Sequence, residues 1–207
     1  MKKNPFSAKF IAFDGPNGAR KSTLIREVQK ELNKLEFNVL YTCEPSGSEI
    51  GNFTRRFSEE CSGNSLACLV AADRYSHLEK TIYPALKNGT PVITDRYVLS
   101  SYILQKMDGV ESDFITAINQ DIILPDLQVV IMTNENTLKE RLSERCQLTR
   151  FERNNRSRIE LENTQIGVDI LKRLGVLCLI IDNDKELAYN SRVITEEIIK
   201  LIKECPW

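Results

Sequence analysis

Between Phe10 and Ile25 the chain reads FIAFDGPNGARKSTLI. Gly15, Lys21 and Ser22 fit the spacing G-x-x-x-x-G-K-[ST]. In such a loop the backbone N–H groups wrap phosphate oxygens at the start of a helix. The lysine reaches the β- and γ-phosphates of ATP, and the hydroxyl ligates Mg²⁺. The expected ATP-phosphate site is therefore Gly15, Asn17, Gly18, Ala19, Arg20, Lys21, Ser22 and Thr23, with Ser22 as the metal ligand. A glycine-rich turn merely capped by Ser22 would not need lysine and hydroxyl together. One residue departs from the spacing. Arg20 stands at the second glycine, where a missing side chain lets backbone and ligand approach closely. Weakened nucleotide binding or turnover is expected, and Arg20→Gly is expected to raise turnover.

Arginines form the second group. Arg74 lies in AADRY, Arg96 in TDRY, and Arg141, Arg145, Arg150 and Arg153 in RLSERCQLTRFER. The planar guanidinium grips phosphate bidentately, which suits a reaction that holds two anionic groups in line. Each has a plainer reading alone: a strand-end ion pair for DRY, a solvated face for the charge run.

These residues need elements to position them. Apolar runs at 10–13, 37–42, 91–97, 127–132 and 176–182 have the length of buried strands. Helical periodicity starts at Lys21 and recurs at 65–87, 112–121, 135–145, 160–174 and 186–203. Strands alternating with helices predict right-handed crossovers and one parallel sheet covered on both faces. Ligands then bind at the carboxyl ends of the strands. No linker, repeat or low-complexity tract divides the 207 residues, so one domain over 1–207 is expected. The arginine-rich stretch 143–158 lacks apolar periodicity at its centre and reads as a mobile excursion outside the core.

Composition narrows the class. Net charge is −1, with 28 basic and 29 acidic side chains. Proteins that coat nucleic acid polymers are usually more basic, so none is expected as a partner. The six cysteines, Cys205 among them, show no CxxC spacing, and the single His77 completes no zinc set. Reduced thiols in a cytoplasmic protein fit that pattern. The longest apolar stretch, from Val176, is far too short to span a bilayer.

The segments FDGPNGARKST, TCEPSGSEIG, the stretch ending in VITDRY, SSYILQ and RLSERCQLTRFE resemble, in order, those of the thymidylate kinase family. The resemblance covers residues 10–155. It implies a P-loop α/β/α sandwich around a five-stranded parallel sheet, with an acceptor region around 43–105 and a lid around 143–158. It implies Mg²⁺-dependent transfer from ATP to a nucleoside monophosphate, most simply dTMP, by a homodimer whose candidate surface is the helix at 65–87. By the same resemblance Arg74 and Arg96 grip the acceptor's phosphate, Asp95 orients a metal-bound water, and Glu44 shapes the acceptor site. Ser101 faces the base edge. Gly18 stands where other members carry a catalytic arginine, so the lid should supply one, Arg150 by best match and Arg145 second.

Several positions depart from the family's pattern. Val70 replaces the phenylalanine that stacks on thymine, and Leu104 replaces a tyrosine. Asn17 replaces a carboxylate, Cys43 an arginine and Thr149 an aspartate. Tyr97 or Tyr102 could supply an alternative stack. These changes leave open a different (deoxy)nucleoside monophosphate as acceptor, or a weakly active nucleotide-binding paralogue.

Overall fold

The apolar run Phe10–Asp14 forms β1, and all five residues are buried. Phe10 and Ala12 face one core cluster while Ile11 and Phe13 face another, as the two-residue period of a strand requires. A strand buried on both faces belongs at the centre of a sheet. The computed structural model describes residues 1–153, 156–184 and 186–203, so Cys205 and positions 154–155 of the lid lie outside the described residues. Among them, β2 (Leu40–Cys43), β3 (Val92–Asp95), β4 (Leu127–Met132) and β5 (Leu177–Asp182) join β1. The sheet is all-parallel in the order β2-β3-β1-β4-β5.

Helices cover both faces. On one lie α1 (Lys21–Lys34) and α9 (Leu187–Lys203), packed on each other. On the other lie α3 (Gly63–His77), α5 (Val98–Met107) and α8 (Ser157–Arg173). Shorter helices are α2 (Glu49–Phe57), α4 (Tyr83–Lys87), α6 (Ser112–Ile118) and α7 (Glu135–Ser143). No described helix is long and apolar enough to cross a membrane.

The expected helix 65–87 is one path in three parts, α3, a wide π turn at Leu78–Ile82, and α4. Pro84 has no N–H to donate back into the preceding turn, and the wider turn accommodates the loss. Two helices lie outside the expected set. In α5 seven of ten residues are buried, so it has almost no polar face to alternate with. The nine-residue α2 is signalled by Ile50, Phe53 and Phe57 at helical spacing, too short a run to stand out, and by Ser48, whose hydroxyl accepts from the Gly51 N–H.

None of the described residues of 143–158 joins either core cluster, and most are exposed, with three buried exceptions, Phe151, Glu152 and Ser157. Phe151 and Glu152 are buried because the segment folds back over a hollow lined by Val70, Arg74 and Tyr97.

Candidate functional site

The β1–α1 loop holds the shape of a phosphate cradle. Gly15 has φ +147°, and a Cβ there would sit 2.1 Å from the Ile131 carbonyl oxygen, so only glycine fits. Arg20 adopts φ 61° and ψ 33°, the left-handed conformation that glycine takes freely. The arginine thus follows the glycine path at a cost of roughly 1–2 kcal/mol, with its side chain exposed beside the loop. Arg20→Gly is accordingly expected to raise the melting temperature by about 2–8 °C and to raise ATP turnover in a coupled ADP assay. Equal or lower turnover would mean that the guanidinium helps hold the donor.

Around this loop lies a polar hollow of about 350 Å³. Gly18, Arg20, Lys21, Ser22 and Thr23 line it from the loop, Asp95 and Arg96 from the end of β3, and Arg145 from the lid. Lys21 Nζ donates to the carbonyls of Gly15 and Pro16 at 2.9 and 2.8 Å. Burial, then the Arg96 guanidinium, push this ammonium down to about 7, against the pull of Asp95, Glu160 and Asp14. The Ser22 hydroxyl donates to Asp95 Oδ2 at 2.6 Å, while Asp95 Oδ1 is buried without a partner. Ala19 is buried, and its carbonyl accepts from Asn183.

A second, more apolar hollow of about 320 Å³ adjoins the first. Glu44, Val70, Arg74, Arg96, Tyr97 and Leu104 line it. Arg74 is buried and nearly saturated: its guanidinium donates to Glu44, Asn119, the Tyr97 carbonyl and Ser101. Ser101 therefore backs Arg74 without lining the hollow. Neither tyrosine offers a free ring face. Tyr97 packs edge-on against Phe10 and beneath Arg74, with its hydroxyl donated to Ile123. Tyr102 is buried with its hydroxyl on Thr116. The aromatic that reaches the wall from elsewhere is Phe151 of the lid.

Asn17, Arg96 and Glu152 line both hollows. Arg96, at φ 74°, leaves β3 in a strained conformation that ends the strand. Its guanidinium donates to Ser100 Oγ and Asn17 Oδ1.

The two lid arginines part company. Arg145 enters the phosphate hollow, where it pairs with Glu152. Arg150 turns away: it forms a bidentate pair with Asp108 at 2.7 and 2.8 Å, donates to the Ser58 carbonyl, and lies over the Phe151 ring. Hydrogen bonds from Arg150 N–H and Arg153 to Glu59 pin the lid to the residues just after α2. Burial, then nearby Arg20, hold Arg141 below the ordinary arginine range.

Sequence reasoning missed several residues here. Arg55 of α2 lines the second, more apolar hollow and places its guanidinium 3.8 Å from Cys43 Sγ, beside the position that lacks an arginine. Gln105 lines the same hollow with its Oε1 buried and unpartnered. Asp73 fastens the loop after β2 by accepting from Ser46 and Ser48. Glu160 of α8 accepts from Asn17, and burial pushes its carboxyl up despite those hydrogen bonds. A signal existed for Glu160. It stands within a buried stripe of small and polar residues at helical spacing, Ser157, Glu160, Asn163, Thr164 and Gly167.

A family model described as thymidylate kinase matches residues 13–188. A protein described as a probable thymidylate kinase from Caldivirga maquilingensis is 41% identical over 149 residues, 70% of this chain and 73% of its own length. Another so described, from Methanococcus aeolicus, is 37% identical over 63% of this chain and 65% of its own length. A thymidylate kinase from Caldicellulosiruptor saccharolyticus is 36% identical over 65% of this chain and 69% of its own.

Proposed function

Because the chain belongs to the thymidylate kinase family, we propose that it transfers the γ-phosphoryl group of ATP to dTMP, giving dTDP and ADP. The observation that carries this is the pair of adjoining hollows with Arg96 in the wall of both. ATP phosphates occupy the loop hollow, held by the 15–23 backbone and Lys21. dTMP occupies the other, with its phosphate toward Arg96 and its base toward Arg74, Val70 and Phe151. Two anions then meet across one guanidinium, and holding them in line is most of what this chemistry requires. Arg145 reaches the same hollow and stabilises charge spreading over the transferred group. Phe151 and Glu152 of the lid keep water from the acceptor side.

The residues fit Mg²⁺. Ser22 Oγ and Asp95 offer hard oxygens side by side, and the buried Asp95 Oδ1 lacks a partner. No group of three or more His, Cys, Asp or Glu that could hold a metal exists among the described residues. A cation that takes one or two protein oxygens plus phosphates and waters suits such a site. When bound, the ion neutralises charge on the β- and γ-phosphates.

The same reading makes 1–207 one cytoplasmic domain, with the acceptor region at 43–105 and the lid at 143–158. It takes a homodimer from the family.

ADP release measured across a panel of nucleoside monophosphates tests the proposal. Turnover with dTMP well above every other acceptor is expected. Turnover with a different monophosphate would reassign the acceptor, and none with any would leave a nucleotide-binding paralogue.

A further inference from the structure

Arg96 lines both hollows, yet among the described residues no carboxylate pairs with it directly. Its two side-chain partners are neutral, and each is tied to a buried carboxylate behind it. Arg96 Nη1 donates to Ser100 Oγ at 3.2 Å, and that hydroxyl donates to Asp14 Oδ1 at 2.5 Å. Arg96 Nη2 donates to Asn17 Oδ1 at 2.7 Å. Asn17 in turn donates its backbone N–H to Glu160 Oε2 at 2.5 Å and its Nδ2 to Glu160 Oε1 at 3.2 Å. Asp14 ends β1, next to the loop. Glu160 arrives from α8, 143 positions along the chain.

An ionised carboxylate can only accept hydrogen bonds, whereas an asparagine amide has one donating and one accepting end. Glu160 therefore decides which way the Asn17 amide faces. Nδ2 turns to α8 and Oδ1 to Arg96. An amide at 160 that accepts the Asn17 backbone N–H turns its own NH2 toward the Asn17 side chain, which draws Oδ1 to α8 and turns an N–H toward the guanidinium.

We propose that Glu160 is a positioning residue for Arg96, acting through Asn17 and supplying from α8 the charge that aims the guanidinium into the acceptor hollow. The proposal rests on the reading of Arg96 as the grip on the acceptor's phosphate.

The test is dTMP binding measured by calorimetry on the full chain and three variants, E160Q, N17D and the double N17D/E160Q. E160Q is expected to weaken dTMP binding about tenfold, the scale of one misaimed charge-assisted hydrogen bond. At pH 6, where Lys21 is already charged, the variant's ATP affinity should stay within about twofold. The double variant returns a carboxylate to the loop, facing Arg96. The amide now on α8 accepts the backbone N–H of position 17 and donates to that carboxylate. dTMP affinity should recover to within about threefold of the natural chain.

A merely structural tie between loop and helix would lower melting temperature in E160Q and in the double alike, without recovery of dTMP binding. That result, or wild-type dTMP affinity in E160Q, overturns the inference. Should E160Q not fold, N17A with undiminished dTMP affinity overturns it as well. If the natural chain binds dTMP and the variants do not differ, this inference alone falls. If the natural chain binds no monophosphate, the functional reading beneath it falls too.

Discussion

Arg145→Ala is expected to cut kcat by about 10³-fold, the scale of an arginine that stabilises a transferring phosphoryl group. KM for both substrates should move far less. Arg150→Ala is expected to cost much less in kcat and to show itself instead as a loosened lid. The reason is placement. Arg145 lines the phosphate hollow with Lys21 and Ser22, held there by Glu152. Arg150 spends its fork on Asp108 and the Ser58 carbonyl, and is raised above the ordinary arginine range by that pairing. Steady-state kinetics on the two single variants decide the matter. A 10³-fold loss in Arg150→Ala with a small loss in Arg145→Ala would reverse the assignment, and would mean that the Arg150–Asp108 pair breaks during turnover.

ATP affinity is expected to fall about tenfold for each pH unit between pH 7 and 9. The sign follows from Lys21. Burial and Arg96 hold its ammonium at about 7 in the free protein. Below that pH it is already charged and binding takes up no proton. Above it the free lysine is neutral, phosphates favour the charged form, and binding must draw a proton from solution. Calorimetry in two buffers of different ionisation enthalpy would then read uptake approaching one proton per ATP at pH 8, and none from the lysine at pH 6. Lys21→Met should abolish that uptake along with most of the affinity. Equal affinity at pH 7 and 9, with no proton uptake, would contradict this account of the lysine.

The fold and the outline of the candidate site were legible because each motif carries its own local cause. The strand–loop–helix around Lys21 is written in residues close together, and the sheet is written in five apolar runs. The aim of individual side chains was not legible, because distant partners set it. Arg150 matched the lid pattern better than Arg145, but Asp108 and Ser58, over forty and ninety residues away, draw it aside. Arg74 matched an acceptor arginine, yet Glu44 and Asn119 take much of its donor capacity. Arg20 seemed to threaten the cradle, but the backbone reaches the left-handed conformation with a side chain in place. The loop carries a neutral residue at Asn17, and the charge behind it comes from α8. Helix α5 was missed for a simpler reason. A helix buried nearly all round shows no alternation.

The central claim is that two nucleotides lie end to end, with their phosphates converging on Arg96. Adenosine and thymidine joined 5′ to 5′ through a chain of phosphates make one molecule that must fill both hollows at once. Calorimetry should find one such molecule per chain, bound far more tightly than ATP or dTMP and displaced by either of them. A ligand that competes with ATP alone, or binds no better than ATP, would mean that the hollows do not act together.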